Sequence, residues 1–510
     1  MKATKTTARR KLYLIGIDAA PLWLLRELKG RSGMEPFSKL LDSGQIGNLE
    51  STLPPMSGCS WPTIYTGLTP GEHGAPDFFV MKKDYVKDVV YYDSKAAPPF
   101  WKELAERGHR CLVITPCMEI LLPDYGNVDL ITGFPLKSRA NGEKLRNLML
   151  NYHFDGEPDI EKSITDGKIT EMEASRQYVK SVNKRARIAR SMIETGDYDF
   201  VYVCFTETDR LQHFTLNKPN KFDYILPVYA EIAKFIDYVE KRAEKENALV
   251  MLISDHGAQP IHQKFLLNAW LIRNGYAALK ESVMKSIMST DEEAPSSYSI
   301  RERIMRSRLR KVYDRMPHHV KRVTAGLVGG IFSKASAGTY TRLHLFDFDM
   351  KRTKAFAEVS NDPVGTLWIN DKRFVNGTVK DSEKKRLKEE IMRKLSRVKS
   401  RDGERIVVGY EDAIKYYGGT RKFIPADLFI EAKKGYTIDI FNFSTSTYFM
   451  KPEKAKSGDH IMHGIVGYFS NGTRLKLDGA NVLDIAPTIR DYFGVNRSGK
   501  RSLLERQGMN

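Results

Sequence analysis

Cysteine is scarce in this chain: Cys59, Cys111, Cys117 and Cys204 are all that its 510 residues contain. Their spacing builds no zinc knuckle, and so few thiols in so long a chain argue against a disulfide framework. Long apolar runs are missing too; none reaches the roughly 18 residues that a membrane-spanning helix needs. Acidic residues are in deficit, with 63 Asp and Glu against 81 Lys and Arg, a formal net charge of +18. That surplus favours acidic partners (phosphate esters, nucleotides, nucleic acid or an anionic membrane surface) without choosing among them. A hydrophobic content of 41% and an aromatic content of 10% fit a folded globular protein and exclude a disordered one.

The N-terminus imitates a secretory leader, with basic residues before LYLIGIDAAPLWLL. Asp18 interrupts the apolar stretch, however, and no small-residue cleavage site follows. Leu12–Ile17 therefore reads as a buried first strand, and the protein is expected to be cytoplasmic.

The length suggests two or three domains. Apolar strands are expected at 12–17, 111–115, 199–205 and 248–254. They alternate with helices at 21–42 (broken near Gly30–Gly33), 171–194 and 225–246. Continuous apolar strands between helices imply an α/β fold with a mostly parallel, doubly wound sheet covered on both faces. This core is expected to occupy 11–270. From about 271 to 434 the pattern changes to a polar stretch, a basic segment, β-like pieces (KAFAEVS, GTLWIN) and a charged helix at 380–399, read as a large inserted cap. The core resumes over 435–495, closing in a helix at 481–495, and 496–510 reads as a loose tail.

Five separated fragments carry chemistry. Asp18 ends the first strand in LIGIDAA. Ser57 lies in PPMSGCSWPTIYTG, ahead of a short helix closed by Gly67. Asp209 and His213 lie in ETDRLQH, Asp255 and His256 in MLISDHG, and His460 in SGDHIMHG. Each has a plain reading: a helix cap for Asp18 and Ser57, a solvated turn for Asp209 and His213, a polar strand end for Asp255-His256. Together they supply one hydroxyl nucleophile, three carboxylates and three imidazoles, the stock of a paired-metal phosphoryl-transfer site. Asp18, Asp209 and Asp255 each stand at or just past a strand's C-terminal end, where open α/β sheets place their ligand crevice. Asp209 and His213 are four apart and share one face if a helix follows the strand. Ser57 or Ser60 falls near a helix N-terminus, which favours a bound phosphoryl group. Thr63 and Thr66 read as structural, and His460 and His463 are not separated by context.

The ordered set resembles the alkaline phosphatase superfamily, in its type I phosphodiesterase/nucleotide pyrophosphatase branch. The resemblance rests on GID after strand one, the PP-M-S loop running into YTGLTPGEHG, ETD-x-x-x-H, SDHG, the late G-D-H and DIAPTI. It implies Asp18, Ser57, Asp255 and His256 around one divalent cation, and Asp209, His213 and His460 around a second. Zinc is the expected metal, with manganese as the alternative. It also selects Ser57 over Thr63 as nucleophile, selects His460 over His463, and leaves His73 out. The implied activity is hydrolysis of a phosphate ester, foremost a diester. The expected substrate is a phosphate-ester small molecule, a nucleotide, or a phospholipid or glycan headgroup. Phosphomonoester or sulfate-ester hydrolysis is the alternative, although Ser57-Gly58-Cys59-Ser60-Trp61 lacks the Pro and Arg of a sulfatase. The chain departs from the family at Gly58-Cys59, usually Ala-Pro or Phe-Pro, and at Ser60, usually Asn, which puts nucleotide specificity in doubt.

Residues 301–322 hold nine Arg and Lys against two acidic residues. With the GLVGGIF that follows, 301–335 could touch an anionic membrane, against the plainer reading of a solvated helix or loop; His318-His319 reads as part of that surface. No dedicated nucleic-acid motif is present. The non-enzymatic alternative is a basic lipid- or nucleic-acid-binding protein with a vestigial site.

Overall fold

The computed structural model describes residues 9–505 except 157, 159, 289–340, 359–362, 401, 418–422, 454–455, 471 and 496–498. The basic segment 301–322, His318-His319 and the whole of 301–335 thus lie outside the described residues.

Eight strands form the central sheet: β1 (Leu12–Ile17), β2 (Ile46–Glu50), β3 (Cys111–Ile114), β4 (Val128–Ile131), β5 (Phe200–Phe205), β6 (Leu249–Ile253), β7 (His463–Phe469) and β8 (Ala480–Asn481). Their spatial order is β8-β2-β7-β6-β1-β5-β3-β4. The run β6-β1-β5-β3-β4 is parallel, with Gly16 of β1 opposite both Cys204 and Ile253. The sheet is mixed because β7 runs antiparallel to β2 and β6. An apolar run fixes burial, not strand direction, so this reversal was not readable from HGIVGYF.

Alternation along β1 splits the core into two layers. Tyr13, Ile15 and Ile17 join an apolar cluster with the helices Leu22–Leu28, Glu35–Ser43, Glu171–Thr195 and Lys221–Glu246. Leu12 and Leu14 join another with the helices Ser57–Thr66, Phe100–Glu106 and Ile485–Tyr492. Helices on both faces make the sheet doubly wound. The helix at 171–195 starts where its sequence dictates: Thr170 accepts from the Glu173 N–H, and the Glu173 carboxylate accepts from the Thr170 N–H. Within the expected tail, Leu503 packs on the core. Leu503 is buried, its N–H donates to Thr488 Oγ1 at 2.8 Å and its carbonyl accepts from Lys476 N. A single leucine with an apolar cluster to fill outweighs the polar residues around it.

A third apolar cluster draws on Phe265–Leu271 and on residues 343–443. It centres on an antiparallel sheet of Ala355–Ala357, Val364–Ile369, Leu428–Ala432 and Val407–Asp412. The helix Asp381–Leu395 covers it through Leu387, Ile391 and Leu395, spaced by one turn. A short hairpin-like pair, Gly257–Pro260 with Gly458–Ile461, carries His460 beside Ala258.

Candidate active site

Parallel neighbours place their C-terminal ends along one sheet edge, and three of them bring an aspartate there. Asp18 directly follows β1, Asp255 comes two residues after β6, and Asp209 lies in the first turn of the helix Glu207–Thr215 that follows β5. The late strand pair adds His460 from above. Asp18, Asp255 and His256 offer ligand atoms within 4.8 Å of one another, as do Asp209, His256 and His460.

At the inner end, Ser57 opens the helix Ser57–Thr66 rather than preceding it, with Met56 as its cap in extended backbone. The Ser57 hydroxyl lies 3.2 Å and 3.4 Å from the Asp18 carboxylate oxygens and 3.1 Å from His256 Nε2. His256 Nε2 is 3.2 Å from Asp255 Oδ2 and 3.7 Å from Asp18 Oδ1. His256 Nδ1 faces the Gly257 carbonyl at 3.1 Å, so this nitrogen carries the proton and Nε2 turns its lone pair inward. Gly257 is required at the turn, since a Cβ there would stand 2.1 Å from the His463 carbonyl oxygen.

At the outer end, Asp209 Oδ1 lies 3.4 Å from His213 Nε2 and 3.3 Å from His460 Nε2, and the two Nε2 atoms are 3.1 Å apart. His213 Nδ1 donates to the Gly458 carbonyl at 3.1 Å, again leaving Nε2 directed at the cluster. The His256 and His460 rings, 4.1 Å apart, join the two ends.

The electrostatics are those of crowded, desolvated anions. Burial, then the neighbouring Asp255 and Asp209 carboxylates, push Asp18 well above the usual carboxylate range. Burial raises Asp255 to about 7 despite the Ser57 hydrogen bond. Burial would raise Asp209 too, but the charge of His213 and hydrogen bonds from His213 and His460 hold it well below. His256, fully buried beside His460, falls to about 3.

All seven residues selected from the sequence meet at this edge, and the alternatives lie elsewhere. His463 is exposed and sits opposite Glu50 in the sheet. Thr63 Oγ1 bonds His73 Nε2 at 3.0 Å, and Thr66 Oγ1 donates to the Pro62 carbonyl. Ser60 turns away from the cluster to Thr52 Oγ1 at 2.6 Å and Ser51 Oγ at 2.9 Å. Three supporting contacts were missed. Trp61 Nε1 donates to Asp18 Oδ2 at 3.1 Å, through a gap that Gly16 leaves open: a Cβ there would stand 2.9 Å from Trp61. Its spacing of four from Ser57 was the available signal. The Thr208 hydroxyl donates to the Asp18 carbonyl. Arg185 pairs with Glu207 at 2.7 Å, both fully buried, beneath the helix that carries Asp209 and His213.

The profile of the type I phosphodiesterase / nucleotide pyrophosphatase family matches residues 12–442. The chain belongs to this family. Membership makes it a phosphoric ester hydrolase of the phosphodiesterase/pyrophosphatase type within the alkaline phosphatase superfamily. Among curated protein sequences none matches it. Among solved structures, phosphonoacetate hydrolase from Sinorhizobium meliloti 1021, in complex with phosphonoacetate, is similar at 11% identity and a TM-score of 0.52, covering 96% of each chain. Murine ectonucleotide pyrophosphatase/phosphodiesterase 5 is similar at 10% identity and a TM-score of 0.47, covering 97% of this chain and 100% of that one. At such identity the first likeness speaks for the fold. Among the described residues no helix is long and apolar enough to cross a membrane.

Proposed function

We propose that this family member is a phosphodiesterase that works through Ser57 and two divalent cations, expected to be zinc. The observation that carries the reading is the Ser57 hydroxyl at a helix N-terminus, within 3.4 Å of Asp18 and His256. The donor set fits cations: three carboxylates and three imidazoles converge there, and among the described residues buried Asp255 Oδ2 has no hydrogen-bond donor. Asp18, Ser57, Asp255 and His256 would hold one cation, and Asp209, His213 and His460 the other. Bound there, the cations would act as Lewis acids that favour the serine alkoxide and neutralise charge on the phosphoryl oxygens.

The chain's own groups define the rest. The first-turn N–H groups of a helix lack intrahelical acceptors, so Ser57 and Gly58 present donors and a positive dipole end to an incoming phosphoryl group. Ser57 gives up its proton to solvent, its Oγ bonds phosphorus, and the bond from phosphorus to the leaving oxygen breaks, that oxygen taking up a proton. Water then attacks the phosphoserine and Ser57 leaves protonated. The Gly257 and Gly458 carbonyls keep the imidazole Nε2 atoms facing inward throughout. We assign substrate selection to residues 271–434, the proposed cap, and read the substrate as a phosphate-ester small molecule. The four cysteines are all buried, and so few thiols in so long a chain support a reducing, cytoplasmic setting.

Hydrolysis of bis-p-nitrophenyl phosphate and p-nitrophenyl phosphate with Zn²⁺, Mn²⁺ or chelator tests the reading. Cleavage that favours the diester, needs metal and vanishes in Ser57→Ala is the expected result. Wild-type turnover in Ser57→Ala would refute the nucleophile, and a monoester preference would move the class to phosphatase.

A further inference from the structure

The segment that delivers Ser57 is tied to the third apolar cluster by one long-range hydrogen bond. The Leu53 N–H donates to the Tyr416 hydroxyl at 2.9 Å, across 363 residues of sequence. Leu53 lies four residues before Ser57, and the stretch between them leaves little slack. The Thr52 hydroxyl donates to the Pro54 carbonyl, Met56 N donates to the same carbonyl, and the Met56 carbonyl receives the N–H groups of Cys59 and Ser60. A displacement at Leu53 is therefore passed to Ser57.

Tyr416 is itself held firmly. It belongs to the short helix Ala413–Tyr417, and its ring packs edge-on against Phe429 with centroids 5.7 Å apart. Phe429 lies in the antiparallel sheet of the third cluster. The next residue, Tyr417, packs on Phe429 at 5.4 Å, and its carbonyl accepts from Thr69 Oγ1 at 2.9 Å. The helix thus rests on the sheet on one side and on the segments flanking Ser57 on the other.

We propose that Tyr416 is a positioning residue for Ser57, setting the nucleophile loop from the third cluster by accepting the Leu53 N–H. This rests on the reading of Ser57 as nucleophile. A purely structural tyrosine would contribute packing alone, which Tyr416→Phe preserves.

The test compares Tyr416→Phe with Tyr417→Phe in the full-length, metal-loaded protein. Leaving a partly buried N–H without its acceptor is expected to lower kcat on bis-p-nitrophenyl phosphate roughly tenfold. KM should stay within about twofold, since the loop and not the binding wall is disturbed. Metal content should match wild type, and amide exchange in a peptide spanning 51–57 should quicken by about tenfold or more. Tyr417→Phe should match wild type in each readout. The proposal is overturned if Tyr416→Phe leaves kcat and exchange in 51–57 unchanged, or if Tyr417→Phe loses as much. Should Ser57→Ala retain wild-type turnover, the nucleophile reading fails instead, while the exchange data still report whether Tyr416 holds Leu53.

Discussion

Removing metal should load the site with protons, and returning metal should expel them. In the cation-free protein Asp18 and Asp255 share a buried pocket, with Asp18 raised well above the usual range and Asp255 to about 7. Asp255 then keeps about half a proton at pH 7, and the upward shift of its neighbour Asp18 adds to that. His256, lowered to about 3, and Asp209, held well below its ordinary value, carry none. His213 is raised: burial opposes its charge, but adjacent Asp209 outweighs that and favours the protonated ring. Ligation needs these groups deprotonated, so filling the site should release more than about half a proton at pH 7. By linkage, apparent affinity should fall by more than about threefold on going from pH 7 to pH 6. Zn²⁺ titrated calorimetrically into chelator-stripped protein, in two buffers of different ionisation enthalpy, counts the protons directly. Release below about half a proton would refute the argument, because it would mean that the carboxylates are already ionised and therefore not packed against one another.

Two further outcomes concern stability. Arg185→Met leaves the Glu207 carboxyl without its cation in the core, and should cost about 3–5 kcal/mol by urea denaturation, mostly recovered in Arg185→Met/Glu207→Leu; a loss under about 1 kcal/mol would show that the pair contributes little. Glu119, wholly buried, is raised by burial to about 8 although the Ser94 hydroxyl donates to it. Its folded state favours the neutral acid, so stability is complete below the unfolded value near 4.5 and is lost as pH rises from there towards 8. Glu119→Gln should therefore gain on wild type by on the order of 2–4 kcal/mol between pH 5 and pH 8, and an unchanging difference in urea midpoints across that range would exclude the effect.

The legible parts of this protein were those written in local pattern. Strands β1, β5 and β6 announced themselves as apolar runs, and a carboxylate after each pointed to one edge of the sheet. Asp209 and His213 were readable because four residues make one helical turn. What could not be read was pairing across distance. Nothing in HGIVGYF says that it runs against its neighbours. Nothing near Ser60 says that its hydroxyl is satisfied by Ser51 and Thr52. Glu207 reads as one more acid in a polar turn until Arg185 is found opposite. Trp61 reads as core, which it is, yet its indole N–H also holds Asp18.

The place of β7 has a consequence for how a nascent chain matures. β2 meets β6 only through β7, so residues 46–50 have no partner in the central sheet until residues 463–469 emerge. His460 arrives on the same late stretch. During synthesis β6 stays an open edge, vulnerable to misplaced strand addition, and must wait for the right guest. Closure of the sheet and completion of the imidazole set then happen together, so a ribosome-bound or prematurely ended chain would have neither.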